Sequence, residues 1–182
     1  QTKKRNKLLY QSEHDELTGL YNKRSLNRYL EDVFEACKLN EKELGILFLD
    51  IDYFTQLNDR YGHGKGDEGI CAVADTLKRI FPEDYVARYG GDEFLVVMTG
   101  RDLTYVMEHA ESLCAGIREC KIPNEDSEVE SWLTISVGGV CAIPKEPNRV
   151  WDFLSAADNT LYEQKKEQKG KVRFYQGEGK YL

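Results

Sequence analysis

Two short acidic strings, Asp50-Ile51-Asp52 and Gly90-Gly91-Asp92-Glu93, carry the side chains best suited to chemistry in this chain. The first follows an apolar run, Leu44 to Leu49, that reads as a buried central strand, so its acids fall where a strand stops and a helix begins. Carboxylates at an open strand end are ready ligands for Mg²⁺, which prefers oxygen donors and keeps several of its waters. A plainer reading has Asp52 capping the next helix and Asp50 exposed in a turn. An EF-hand is excluded, because Phe54 fills the third ligand position, where Asp or Asn is required. The second string sits between two β-prone runs, Asp84 to Tyr89 and Phe94 to Met98, and reads as a hairpin tip. Its glycines suit a tight turn and let backbone approach a phosphate closely, although a solvent-facing turn needs the same residues. If the two strands are neighbours, Asp50 and Asp92 converge on one sheet edge. Carboxylates so placed repel unless a divalent cation neutralises them, which is the ground plan of two-metal phosphoryl or nucleotidyl transfer.

Asn58 and Asp67 suit base recognition, since a carboxylate accepts hydrogen bonds from both N1–H and the exocyclic amine of guanine, which adenine cannot supply. The alternative is a helix-end Asn and an Asp capping a helix after Gly66. Gly62-His63-Gly64-Lys65-Gly66-Asp67 is not a P-loop: Asp59 stands where the first Gly belongs, and Gly66 follows the Lys in place of Ser or Thr. Lys165, Lys166, Lys169 and Lys171 form a basic cluster that also fits a solvated helix face. The five cysteines are odd in number, widely spaced and without a Cys-x-x-Cys pair, which points to reduced thiols and the cytosol, and leaves no clustered ligand set for zinc.

The elements that must position these groups can be read from periodicity. Lys3 to Ser12 is basic and polar, the end of a helix or linker with little to bury. Leu26, Leu30, Val33, Phe34 and Cys37 recur at helical spacing within 23–39. After the Leu44–Leu49 strand, a short helix to Tyr61, a Gly-rich turn over Gly62 to Gly66 and a second helix through Ile70, Val73, Ala74, Leu77 and Ile80 are predicted, ended by Pro82. The hairpin follows, then a helix over 103–120, an acidic loop over 121–130 and a long strand over 132–142. A helix over 150–166 comes next, with Trp151, Leu154, Ala157 and Leu161 inward, and a last edge strand over 172–175. An adjacent β-β pair inside a βαββαβ string predicts an α+β fold with an antiparallel or mixed sheet under packed helices, not a doubly wound one.

Composition narrows the partners. The 182 residues hold 41% hydrophobic and 31% charged side chains, a globular mix of one-domain size. No apolar run approaches the ~20 residues of a membrane span, and the opening Gln1-Thr2-Lys3-Lys4-Arg5 does not read as a signal peptide, so no direct membrane contact is expected. A net charge of −7 argues against a nucleic-acid groove built on bulk charge, so a phosphate-bearing ligand must be held locally.

Arg88-Tyr89-Gly90-Gly91-Asp92-Glu93-Phe94 resembles the signature of the GGDEF-domain diguanylate cyclases. Further blocks resemble that family in order: Asp15 through Arg24, Phe48 through Phe54, Asn58 through His63 with Gly66-Asp67, Ser136-Val137-Gly138, and Ala157-Asp158 through Leu161-Tyr162 with Lys165. The resemblance implies a palm-like, ferredoxin-like core similar to nucleotide cyclases, with residues 14–182 as the domain and 1–13 as a helix or linker from an upstream sensor. It implies a cytoplasmic enzyme, or the cytoplasmic part of a larger membrane-bound protein, that condenses two GTP into cyclic di-GMP and two pyrophosphates. Each of two facing protomers would hold one GTP, with two Mg²⁺ or Mn²⁺ ions per site. By position, Asp50, Asp92 and Glu93 with the Ile51 carbonyl would bind metal, and Asp92 and Glu93 would be catalytic. Asn58 and Asp67 would read guanine, with His63 in the same substrate-binding block. The backbone N–H groups of Tyr53, Phe54 and Thr55 would cradle the terminal phosphates, helped by Lys165 and Lys169.

Three positions depart from the family pattern. Thr55 stands where Lys is usual, Lys169 where Arg is usual, and Gln168 where Gly is usual, which implies weaker phosphate holding. These departures leave a second expectation open, a weak or inactive module that binds GTP as a nucleotide sensor or dimerises. The family's inhibitory Arg-x-x-Asp motif reads Phe81-Pro82-Glu83-Asp84, so Asp84 remains, the Arg is missing, and Arg79 lies two residues off.

Overall fold

The computed structural model describes residues 1–177 and 182. Its elements run α1 (Thr2–Glu13), α2 (Lys23–Leu39), β1 (Leu44–Ile51), α3 (Phe54–Tyr61), α4 (His63–Ile80), β2 (Tyr85–Arg88), β3 (Glu93–Thr99), α5 (Leu103–Glu119), β4 (Ile135–Ala142), α6 (Val150–Glu167) and β5 (Val172–Phe174). The strands form one open sheet in the order β2-β3-β1-β4-β5, antiparallel except for the β4–β5 pair. The α+β expectation therefore holds, with β1 at the centre.

Every residue of β1 is buried because both faces of the sheet are covered. Side chains alternate across a strand, so Leu47, Leu49 and Ile51 join the core under α3, α4 and α5, while Ile46 and Phe48 join the core under α2 and α6. On β3 the alternation places Phe94, Val96 and Met98 on the first side, and Leu95 and Val97 on the second. Asp50 and Glu93 thus share the α2/α6 face, and the register sets them directly opposite each other. Helix α6 comes very close to this face: a Cβ on Gly138 would lie 2.4 Å from the Ala157 carbonyl oxygen and the Leu161 nitrogen.

Four sequence expectations need correction. Residues Gly62 to Gly66 are not a turn, because only Gly62, at φ 88°, breaks the chain and α4 starts at His63. Gly66 is helical where α4 meets Asn58 of α3; a Cβ there would fall 1.8 Å from Asn58 Oδ1. The strand over 132–142 begins only at Ile135, since Trp132 pairs with Pro123 in an isolated bridge. The Leu44–Leu49 strand continues through Asp50 and Ile51, held by β3 and β4 on either side. Trp151 is not inward: it is 66% exposed in the first turn of α6, and Phe153 fills the core position instead.

At the sheet edge, α1 buries no side chain of its own. It meets the body through a run of stacked rings, Tyr10 on His14 (3.9 Å), His14 on Tyr21 (4.6 Å), Tyr21 on Tyr85 (4.1 Å) and Tyr85 on Tyr29 (3.9 Å). Among the described residues no helix is long and apolar enough to cross a membrane. The close α6 contact yields a test: Gly138→Ala must push helix backbone, not a flexible side chain, and is expected to cost about 2–3 kcal/mol in a urea unfolding titration. A loss under about 0.5 kcal/mol would show that α6 can shift freely.

Candidate active site

The acids gather at one end of the central β1–β3 pair. Asp50 is 9% exposed and Glu93 half-buried on the same sheet face, and the Ile51 N–H donates to the Asp92 carbonyl at 3.1 Å, joining the two acidic strings through the backbone. From α6, Lys165 Nζ donates to Asp50 Oδ2 at 2.5 Å. Burial drives the Asp50 carboxyl up to about 6 despite that lysine, with Asp52 and Asp92 adding repulsion. Burial also raises Glu93, and the charges of Asp92 and Asp158 push it the same way. For Lys165, burial works against the charge, but the Asp50 carboxylate prevails and its pKa moves up.

Asp50 Oδ1 is buried with no hydrogen-bond partner. An orphaned anionic oxygen beside two further acids is a donor set that suits a divalent cation. No three His, Cys, Asp or Glu side chains among the described residues converge tightly enough to hold a metal alone. Mg²⁺ does not require that, since it commonly takes one or two carboxylates and fills its remaining positions with water and substrate phosphate.

Asp52 is neither a helix cap nor a free ligand. It is 2% exposed and accepts from Thr134 Oγ1 (2.8 Å) and Ser136 Oγ (2.6 Å), which oppose the upward push of burial on its carboxyl. The residue capping α3 is Tyr53, in left-handed backbone at φ 53° and without a side-chain cap. The first turn of α3 thus starts at Phe54 and Thr55, half-buried and exposed respectively, next to the acid cluster.

Asn58 lies along α3 with its Oδ1 buried and unpartnered, packed on Gly66, while His63 and Asp67 are exposed on α4. Lys169 is half-buried with its ammonium 4.3 Å from the centre of the Tyr53 ring. Among the described residues no ion pair joins the inhibitory-motif residues Asp84 and Arg79. Burial raises the Asp84 carboxyl against the pull of Arg101 and His109, whereas the Arg79 guanidinium packs by Gly116 on α5, 3.0 Å from where a Cβ would sit there.

Several positioning residues were not singled out from sequence. Arg88 donates to the carbonyls of Gly90 (3.2 Å) and Gly91 (2.7 Å), fixing the bend that carries Asp92, and it pairs with Asp15 at 3.2 Å. Asp15 in turn accepts from the Thr18 N–H and hydroxyl. Burial raises its carboxyl, but the Thr18 bonds and Arg88 outweigh that and set it below the ordinary value. A Cβ on Gly90 would sit 2.5 Å from Glu93 Oε1, so the glycine makes room for the acid. Arg88 and Asp15 both fall inside the quoted motifs, which was the available signal. Asn124, fully buried and donating to the Asp52 and Tyr53 carbonyls at 3.4 Å, sits in a loop with no pattern to reveal it.

An open, mostly antiparallel sheet with helices on both faces and acids at the end of its central pair defines a palm-like α+β domain. Residues 12–171 match the family described as "Diguanylate cyclase, GGDEF domain", and the chain belongs to that family. It is 32% identical over 161 residues to the probable diguanylate cyclase DgcC of Escherichia coli (strain K12), covering 88% of this chain and 42% of that protein. It also superposes on the GGDEF domain of DgcB from Caulobacter crescentus in complex with c-di-GMP, with a TM-score of 0.82, 25% identity, and coverage of 91% of this chain and 96% of that one. The active GGEEF domain of a diguanylate cyclase from Vibrio cholerae gives a TM-score of 0.70 at 25% identity, over 85% of this chain and 97% of that one. The chain spans less than half the length of the curated relative DgcC.

Because ionised Asp50 is costly in the fold, removing its charge should stabilise the metal-free protein. Its folded pKa, about 6, lies above the ordinary 3.8, so its contribution to stability is full below about pH 3.8 and is lost as pH rises through 6. With a chelator present, Asp50→Asn is expected to exceed wild type by about 1–3 kcal/mol at pH 7.5, with the gap closing towards pH 4. Denaturant titrations at the two pH values measure it. A less stable variant at pH 7.5 would mean that the Lys165 pair outweighs burial.

Proposed function

We propose that this chain is the catalytic unit of a diguanylate cyclase that condenses two GTP into cyclic di-GMP and two pyrophosphates. The observation that carries the reading is the pairing of buried Asp50 with Glu93 on one sheet face, with Asp92 tied to the same strand end, in a chain that belongs to the cyclase family.

Each protomer would hold one GTP. Asn58 and Asp67 would meet the guanine edge, where the unpartnered Asn58 Oδ1 can accept from its N–H groups. The N–H groups of Tyr53, Phe54 and Thr55 would take the terminal phosphates at the start of α3, with Lys165 and Lys169 adding charge. Asp50, Asp92, Glu93 and the Ile51 carbonyl would hold Mg²⁺ or Mn²⁺, which when bound lowers the cost of charge on the phosphates and the attacking oxygen. Glu93, its carboxyl raised by burial and by Asp92, is suited to take the proton of the 3′-hydroxyl. The 3′-oxygen of one GTP then bonds to the α-phosphorus of the other as the α-phosphorus bond to the bridging β-phosphate oxygen breaks and pyrophosphate leaves with its electron pair; the reciprocal attack closes the ring and releases the second pyrophosphate. Two facing protomers are needed, so turnover depends on the effective concentration set by whatever holds them together. We further place this unit in the cytoplasm, with residues 1–13 as the trailing helix of a sensory region.

Purified protein with GTP and Mg²⁺ should form cyclic di-GMP, with a rate per protomer that rises with protein concentration. Asp50→Ala and Glu93→Gln should each lower turnover by about 100-fold or more. Confirmed dimers that yield no product at saturating GTP with either Mg²⁺ or Mn²⁺ would favour the second reading, a GTP-binding sensor or dimerisation module. The exposed Thr55, where relatives usually carry Lys, is what supports that alternative. Product inhibition through Asp84 should be weak or absent, because Arg79 packs towards α5. Calorimetry detecting sub-micromolar cyclic di-GMP binding that Asp84→Ala abolishes would overturn this.

A further inference from the structure

Tyr53 holds a backbone conformation that L-residues other than Gly, Asn and Asp seldom adopt, at φ 53°, right beside the acid cluster. Such an outlier persists only where surrounding contacts impose it, and here they do so from three directions. The buried Asn124 amide holds the Asp52 and Tyr53 carbonyls. The Tyr53 hydroxyl donates to Glu128 Oε2 at 3.1 Å, fixing the far end of the ring. Over the ring face lies Lys169 Nζ, 4.3 Å from the centroid.

The lysine is tethered independently of the tyrosine. The following residue, Gly170, donates its N–H to Ser136 Oγ at 2.9 Å and accepts from Arg118 Nη2 at 2.7 Å. The Lys171 carbonyl accepts from the Val137 N–H at 3.0 Å. Ser136 also donates to Asp52, so one serine ties the lysine's loop to the strand end that leads into Tyr53. A fixed loop and a fixed ring therefore meet at the ammonium.

A lysine is a compact charge on a flexible four-carbon stem, without the planar fork that gives arginine its geometry. Left free, it would spread its charge over many rotamers and hold phosphate poorly. An aromatic face within about 6 Å attracts the ammonium and narrows that spread. We propose that Tyr53 is a positioning residue for Lys169, its ring holding the ammonium beside the start of α3 where the terminal phosphates of a nucleoside triphosphate are received. The inference rests on the reading of this site as a GTP pocket, and it assigns the Tyr53 side chain a task distinct from that of its backbone N–H.

The test uses the whole chain, Mg²⁺ and calorimetry with α,β-methylene GTP, alongside GMP, which lacks the terminal phosphates. Tyr53→Asn removes the ring but suits left-handed backbone, so its melting temperature should not fall. It should lower affinity for the triphosphate analogue roughly two- to fivefold, with a smaller loss for GMP. Tyr53→Phe keeps the ring and should stay within about twofold of wild type. In a Lys169→Met background, Tyr53→Asn should add no further loss. Equal losses with and without Lys169, a Tyr53→Phe variant as weak as Tyr53→Asn, or equal losses for both nucleotides would each overturn the proposal. Wild type that binds the analogue while Tyr53→Asn binds it equally well overturns this inference alone. Wild type that binds neither nucleotide overturns the GTP reading as well. A ligand-free readout decides the placement: the NMR signal of isotopically methylated Lys169 should carry an upfield ring-current shift that Tyr53→Phe keeps and Tyr53→Asn loses. No such shift in wild type would also overturn the proposal.

Discussion

The contact between Asp50 and Lys165 is the constraint around which this domain is arranged. A carboxylate buried at the end of a fully covered central strand is costly, and the lysine offsets only part of that cost, as the raised Asp50 pKa indicates. Lys165 belongs to α6, so the helix must lie close enough to β4 for its side chain to cross to β1. The bare Cα of Gly138 permits that approach. Packing of one helix and the charge state of one acid are therefore the same structural problem.

A further set of contacts fixes the acids from behind. Arg88 holds the carbonyls of the double-glycine bend, Gly90 leaves room for the Glu93 carboxylate, and Thr134 with Ser136 satisfies Asp52. Asp52 shows why two acids one residue apart have different fates. Asp50 keeps one oxygen unpartnered, whereas both oxygens of Asp52 are taken by hydroxyls, those of Thr134 just before β4 and Ser136 on it.

Much of the architecture was legible in the sequence because its signals are periodic. The α2 stripe, the apolar β1 run and the hairpin around Gly90-Gly91 all reappear with boundaries close to those expected. Legibility failed where a tertiary contact overrode local chemistry. The Gly64 and Gly66 pair reads as a turn, yet Gly66 is helical, and it is a glycine because α3 and α4 approach too closely there for a side chain. Trp151 fits the inward spacing of α6 but falls in its first turn, outside the sheet's cover. The acids of the site were visible as a motif. The ion pair that holds Asp50, the left-handed Tyr53 and the buried Asn124 were not, since each depends on chain segments far apart in sequence.

The Asp15–Arg88 pair lies one residue beyond His14, the ring that α1 stacks on as it reaches the body. From the end of that helix to the turn bearing Asp92, the route is one ion pair and a fork of hydrogen bonds to two peptide carbonyls. It bypasses both hydrophobic layers, which resist deformation. The C-terminal end of α1 and the turn that carries Asp92 are thus joined by polar contacts alone, a shorter route than any through the packed layers.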